Sequence, residues 1–112
     1  MGIDTRVAEQ FGNAVAKGDF AQAHEFLTEQ AQKTYSPAAM EQAVKNMTAY
    51  AEGPIQEVEV TGKLDSWPDK LPGDVGWVYV ALTGESFTEA VTVVLANTAN
   101  GIRVRWLEWG RP

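Results

Sequence analysis

His24 is the only histidine in the chain, and an imidazole titrating near neutrality is the side chain best suited to act as a general base. It shares a helical face with Phe20, Ala23 and Leu27, so a local hydrogen bond competes with catalysis as its role. Glu89 and Glu108 are the two carboxylates that the strand pairing derived below turns toward the covered side of the sheet. An inward carboxylate is costly unless it is paired or solvated. Glu108 falls opposite Val93, four residues beyond Glu89, or about 13 Å along the strand at ~3.3 Å per residue. Each would therefore act alone, and water at the strand ends competes with a chemical role for both. Tyr35 and Tyr50 either line a pocket mouth or pack with a wet hydroxyl, and Trp67 is either a lid or a cover for the core. No nucleophile elbow, phosphate loop, dinucleotide fingerprint or calcium loop is present in the sequence. A lone histidine without an acidic cluster makes no zinc ligand set. No metal and no cofactor are expected, and the balance leans away from an enzyme.

Composition narrows the classes further. Residues 1–112 are read as one domain, and with 45% hydrophobic and 10% aromatic residues the chain can build a core without a disulfide or metal. The absence of cysteine excludes disulfides, thiol catalysis and thiolate metal sites, and fits a reducing cytoplasm, the compartment expected here. Nine basic against fifteen acidic residues give a net charge of −6, the wrong sign for a polyphosphate partner, so no nucleic acid is expected. No stretch approaches the ~20 apolar residues of a membrane span. Met1-Gly2-Ile3-Asp4 shows no basic region followed by an apolar run, so no secretory signal is read there.

The elements that must position these residues follow from periodicity. Asp4 or Thr5 caps a first helix with Val7, Phe11, Ala14 and Val15 on one face, ended by Lys17-Gly18. Asp19, with Gln22 three positions on, starts a second. Ser36-Pro37 starts a third, bearing Met40, Val44, Met47 and Ala51, with Gly53-Pro54 closing it. The period then falls to two: Val58, Val60, Gly62 and Leu64 alternate with charged and polar neighbours. A loop is predicted over 65–76, strands over 77–82 and 87–97 joined near Thr83-Gly84-Glu85, and a last strand over 102–109.

Asn100-Gly101 is read as a two-residue type I′ hairpin, which needs positive φ at both central positions. Ala99 then pairs with Ile102, Asn97 with Val104, Leu95 with Trp106 and Val93 with Glu108. Val91, Val93, Leu95, Ile102, Val104 and Trp106 share the covered side. An even-length turn near Gly84 adds Val78, Val80, Leu82, Phe87 and Glu89 to it, while an odd one flips that strand. The opposite side holds Trp77, Tyr79, Ala81, Ala90, Thr92, Val94, Leu107 and Trp109, with Arg103 and Arg105 nearer the turn. That face is too apolar for ordinary solvent contact, and Trp77, Tyr79, Leu107 and Trp109 are expected to form a homodimer surface.

Helices followed by an antiparallel sheet, with Gly18-Asp19-Phe20-x-x-Ala23 between the first two helices and a closing Asn-Gly-Ile-Arg-Val-Arg-Trp strand, resemble the nuclear transport factor 2-like superfamily. The resemblance implies an α+β cone in which helices cross a curved sheet and leave a pocket. Its members include isomerases, cyclases, dehydratases, adaptors and immunity proteins, so fold does not give function. The pocket is expected between the third helix and the sheet, lined by Met40, Val44, Met47, Val93, Trp106 and Glu108. Methionines adapt to apolar shapes and one carboxylate orients a polar group, so a small apolar molecule with one polar end is the expected ligand. A protein-binding module masking a basic partner is the alternative, and an isomerase- or cyclase-like enzyme the third.

Overall fold

A computed structural model describes residues 3–111; Met1 and Gly2, on which the signal-sequence reading partly rests, lie outside the described residues. The order is α1 (Arg6–Ala16), α2 (Phe20–Glu25), α3 (Glu29–Thr34), α4 (Pro37–Met47), β1 (Ile55–Leu64), β2 (Asp74–Gly84), β3 (Thr88–Thr98) and β4 (Gly101–Trp109). The fold is α+β: helices first, then one antiparallel sheet of order β1-β2-β3-β4.

The helix starts obey local capping chemistry. Asp19 Oδ1 accepts from the Gln22 N–H at 3.1 Å, Ser36 Oγ from Ala39 at 3.1 Å, and Asp4 Oδ1, in place of Thr5, from Arg6 at 3.1 Å. Helix α3 was not expected. Thr28 Oγ1 caps it through Ala31 N–H at 3.1 Å, but Ala31 is its one buried residue, so it shows no apolar periodicity. Helix α4 ends at Met47, where the Thr48 hydroxyl donates to Val44 O at 2.9 Å, and Ala51 falls beyond it.

α1 lies directly on the sheet because Gly12 has no side chain. A Cβ there would stand 2.7 Å from Val58 Cγ1 and 3.0 Å from Val80 Cγ1, closer than packed carbons tolerate. Phe11, Val78, Val80, Leu82, Val91, Val93, Leu95 and Val104 fill the space between the layers and are fully buried. Segment 26–28 pairs with β4, Thr28 N–H donating to Val104 O and Val104 N–H to Phe26 O, both at 2.8 Å. This covers one sheet edge, and Glu57, Glu59 and Lys63 on β1 put charge on the other. Among the described residues no helix is long and apolar enough to cross a membrane.

The β2–β3 turn is of even length. Thr83 pairs with Thr88 and Gly84 N–H donates to Phe87 O at 2.9 Å, leaving Glu85-Ser86 between them. Val78, Val80, Leu82, Phe87 and Glu89 are accordingly all buried.

The last hairpin departs from expectation twice. Thr98 pairs with Gly101 and Asn97 with Ile102, which centres the turn on Ala99-Asn100. The Thr98 hydroxyl drives this shift: it donates to Gly101 O at 2.7 Å and accepts from Asn100 N–H at 3.1 Å, a side-chain turn that competes with type I′. Gly101 does have φ +96°, but no other residue than glycine has positive φ among the described residues, so Asn100 does not. The pairing then slips between Val94 and Leu95: Leu95 faces Val104, but Val94 faces Trp106. Arg105 is the extra residue, and a bulge of this kind reverses every side chain beyond it. Leu107 and Trp109 therefore turn inward, opposite Val93 and Val91, while Trp106 and Glu108 turn outward, opposite Val94 and Thr92. A second slip, between Val60 and Gly62 on β1, sets Leu64 opposite Trp77 and leaves it 46% exposed on the outer side.

Gly101→Val is expected to cost about 1–2 kcal/mol, because a β-branched residue is strained at positive φ. The nearest atom to a Cβ there is Arg103 Nη1 at 3.6 Å, so the loss is one of backbone strain alone. Thermal melting should show a midpoint lowered by about 4–8 °C per kcal/mol.

Candidate functional site

Because of the two slips, the outer face carries one row across all four strands: Leu64, Trp77, Val94 and Trp106. Val94 is the buried floor, and its neighbours on β3, Ala90, Thr92 and Ala96, are small and buried too. Trp77 and Trp106 rise from the flanking strands two spacings apart, about 9.6 Å. That width admits one group in contact at ~3.5–4 Å with a wall on each side. Trp67, from the β1–β2 connection, closes a third side. Together with Asp69 and Arg105 they enclose a cleft of about 240 Å³. Tyr79 backs Trp77, ring centroids 6.3 Å apart and planes 18° from parallel.

Trp67 is held by its loop, and the loop is held by Asp74. Arg105 donates to both carboxylate oxygens of Asp74 at 2.7 Å, Leu71 N–H donates to Oδ2 at 2.8 Å, and Asn97 N–H donates to Gly73 O at 2.8 Å. The Asp74 side chain is 0% exposed and that of Arg105 29%. Burial alone would raise the Asp74 pKa, but the Arg105 and Leu71 hydrogen bonds and the charges of Arg105 and Lys70 outweigh it, and the carboxyl lies below its ordinary value. The bulge at Arg105 thus both turns Trp106 outward and aims the guanidinium that anchors the loop. On the loop itself, Lys70 Nζ donates to Asp65 O at 2.6 Å and stands 5.5 Å from the Trp67 ring centroid.

No protein-family model matches the chain, and no curated protein matches it in sequence.

The residues expected to line a pocket are not brought together. Met40, Val44 and Val93 are packed in the core with Met47 against them, whereas Trp106 and Glu108 lie on the opposite face, exposed. The hollow nearest the expected place, about 280 Å³ between α1, α4 and β1, takes only Val44 from that set, with Phe20, Ile55 and Phe87 below and Lys17 and Lys45 at its rim. The expected dimer residues are also divided. Trp77 and Tyr79 are outside; Leu107 is 4% exposed, and Trp109 packs on Phe11 with ring centroids 6.2 Å apart.

Apart from the exposed Glu108, the titratable candidates are bonded to other protein groups. His24 Nε2 donates to Gln32 O at 2.9 Å, which puts the ring proton on that nitrogen because a carbonyl only accepts. Gln32 Nε2 returns a bond to His24 O at 3.0 Å, so the imidazole clamps α2 to α3. Tyr35 donates to Leu107 O at 3.4 Å. Glu89 is inward and 7% exposed, accepting from the Tyr50 hydroxyl at 2.8 Å with Arg111 Nε 3.5 Å away. The hydrogen bond to Glu89, helped by burial and the Glu89 charge, raises the Tyr50 pKa against the opposing charge of Arg111. Among the described residues no three histidine, aspartate or glutamate side chains converge as metal ligands.

Asp69, Asp74 and Arg105 were missed as site residues. Their signal is an acidic loop opposite an arginine inside a strand, which becomes legible only once the bulge is known. The cleft is lined by three indoles and by one carboxylate, Asp69, that makes no ion pair among the described residues, a set suited to holding a ligand.

Proposed function

We propose that the protein is a binding domain, similar in layout to the nuclear transport factor 2-like superfamily, that holds a small molecule with an apolar body and one polar end in the outer cleft. What supports this is the convergence of Trp67, Trp77 and Trp106 from a loop and two non-adjacent strands onto one buried valine. Large aromatics around a concave apolar floor with few polar groups are the usual make-up of ligand sites. At about 240 Å³ the cleft is larger than the ~150 Å³ that accommodates benzene and smaller than the ~300 Å³ at which drug-sized sites begin. One ring or one compact head group fits.

Calorimetric titration with small ring compounds and alkyl head groups tests this. Binding should weaken at least about tenfold in Trp106→Ala, in proportion to the loss of one desolvated aromatic wall. Trp106 is 36% exposed, so its removal should leave the melting temperature nearly unchanged. Equal affinity of wild type and variant would exclude the cleft as the site.

Leu64 and Trp106, exposed in one row, also favour a second reading, pairing of two copies through this face. A stable interface uses roughly 20–30 residues a side, and the exposed apolar strip is far smaller, so the ligand reading takes precedence. Sedimentation of the wild type at high concentration distinguishes them.

A further inference from the structure

We infer that the polar end of that ligand is cationic, and that the cleft is shaped for an alkylated ammonium head group. This rests on the ligand reading above and assigns its chemistry. Indole faces carry the most negative quadrupole among the side-chain rings and attract cations placed over them, and here three indoles line a space one head group wide. Such a group has an apolar surface of methyls or methylenes that suits the Val94 floor and a diffuse charge that is cheap to desolvate. A compact, strongly hydrated ammonium or a carboxylate has neither.

The charges at the walls agree. Arg105 is the single cation in the lining, and its Nε and Nη2 are both bound to the buried Asp74 carboxylate at 2.7 Å, so its charge is neutralised within the protein. Asp69 remains as an acidic group at the rim with no ion pair among the described residues. Asp65 and Asp69 outnumber Lys70 on the loop, and the chain carries −6 overall, a field that concentrates cations. Lys70 itself, 5.5 Å from the Trp67 centroid, shows that this indole already takes a cation within the protein, and Lys70 is not part of the cleft wall.

The test is a matched set of probes: choline, its neutral isostere 3,3-dimethylbutan-1-ol, and the anion 3,3-dimethylbutanoate, each titrated calorimetrically at millimolar concentration against wild type, Trp106→Ala and Asp69→Asn. Choline should bind about 3–30 times more tightly than the alcohol, with the anion weakest. Asp69→Asn should weaken choline several-fold while leaving the alcohol unchanged, and Trp106→Ala should weaken both. If the alcohol binds as tightly as choline, or the anion binds best, the cationic assignment is wrong while the cleft stands as the site. If none of the three binds, or Trp106→Ala binds all three as wild type does, the cleft reading fails together with it.

Discussion

Arg105→Ala is expected to destabilise the fold by about 3–5 kcal/mol, the usual cost of removing one partner from a buried ion pair, and to cost more than Asp74→Ala. The asymmetry follows from burial. Without Arg105, a carboxylate that is 0% exposed keeps only the Leu71 N–H at 2.8 Å. Without Asp74, a guanidinium that is 29% exposed can turn to water, and about 1–2 kcal/mol is lost. The double variant should cost less than the sum, since each single change leaves a stranded charge that the other removes. Urea unfolding of the three variants measures all of this as shifts in midpoint at constant slope.

The same pair sets an acid limit. Asp74 has a lowered pKa in the folded state, so its contribution is fully present above the ordinary aspartate range and is lost as pH falls through the folded value. In Arg105→Ala the burial of the carboxyl, which raises its pKa, loses its main opponent. Acid unfolding should then begin at a higher pH than in the wild type. A variant whose acid limb coincides with that of the wild type would show that the pair does not anchor the loop.

What could be read in the sequence was whatever local chemistry decides. Asp19 and Ser36 cap helices as their types require, and the inward residues of β2 follow from an even turn at Glu85-Ser86. What could not be read was decided by side chains reaching across the chain. The Thr98 hydroxyl moved the last turn by one residue, and Arg105, bonded to Asp74 thirty-one residues away, occupies the bulge that reversed the end of β4. A count by twos cannot register a single inserted residue, so Trp106 and Glu108 were placed inside and Leu107 and Trp109 outside. The error reached both the expected pocket and the expected dimer surface, because both were built on that stretch. Met40, Val44 and Val93 are apolar and covered as their periodicity requires, but that no pocket opens over Val93 follows from how closely α1 approaches the sheet, for which Gly12 is the single local sign.

That reversal gives the sharpest test of the structure. Trp109→Ala is expected to lower stability by about 3 kcal/mol, because its ring packs on the fully buried Phe11 at 6.2 Å and truncating a large aromatic over the core leaves a void. Trp109→Asp should cost still more, since it brings a carboxylate against the same buried ring. At Trp106, three residues earlier and on the opposite face of the sheet, both substitutions should leave folding within about 1 kcal/mol of wild type, as at other surface positions, and should alter only the outer cleft. Had the strand alternated without a bulge, the order would be reversed: Trp106 would be the core residue, and Trp109→Asp would yield a folded protein with one face altered. Thermal or urea unfolding of the four variants separates the two registers. A stable Trp109→Asp beside an unfolded Trp106→Asp would overturn the pairing of β3 with β4, and with it the row Leu64, Trp77, Val94 and Trp106 on which the cleft depends.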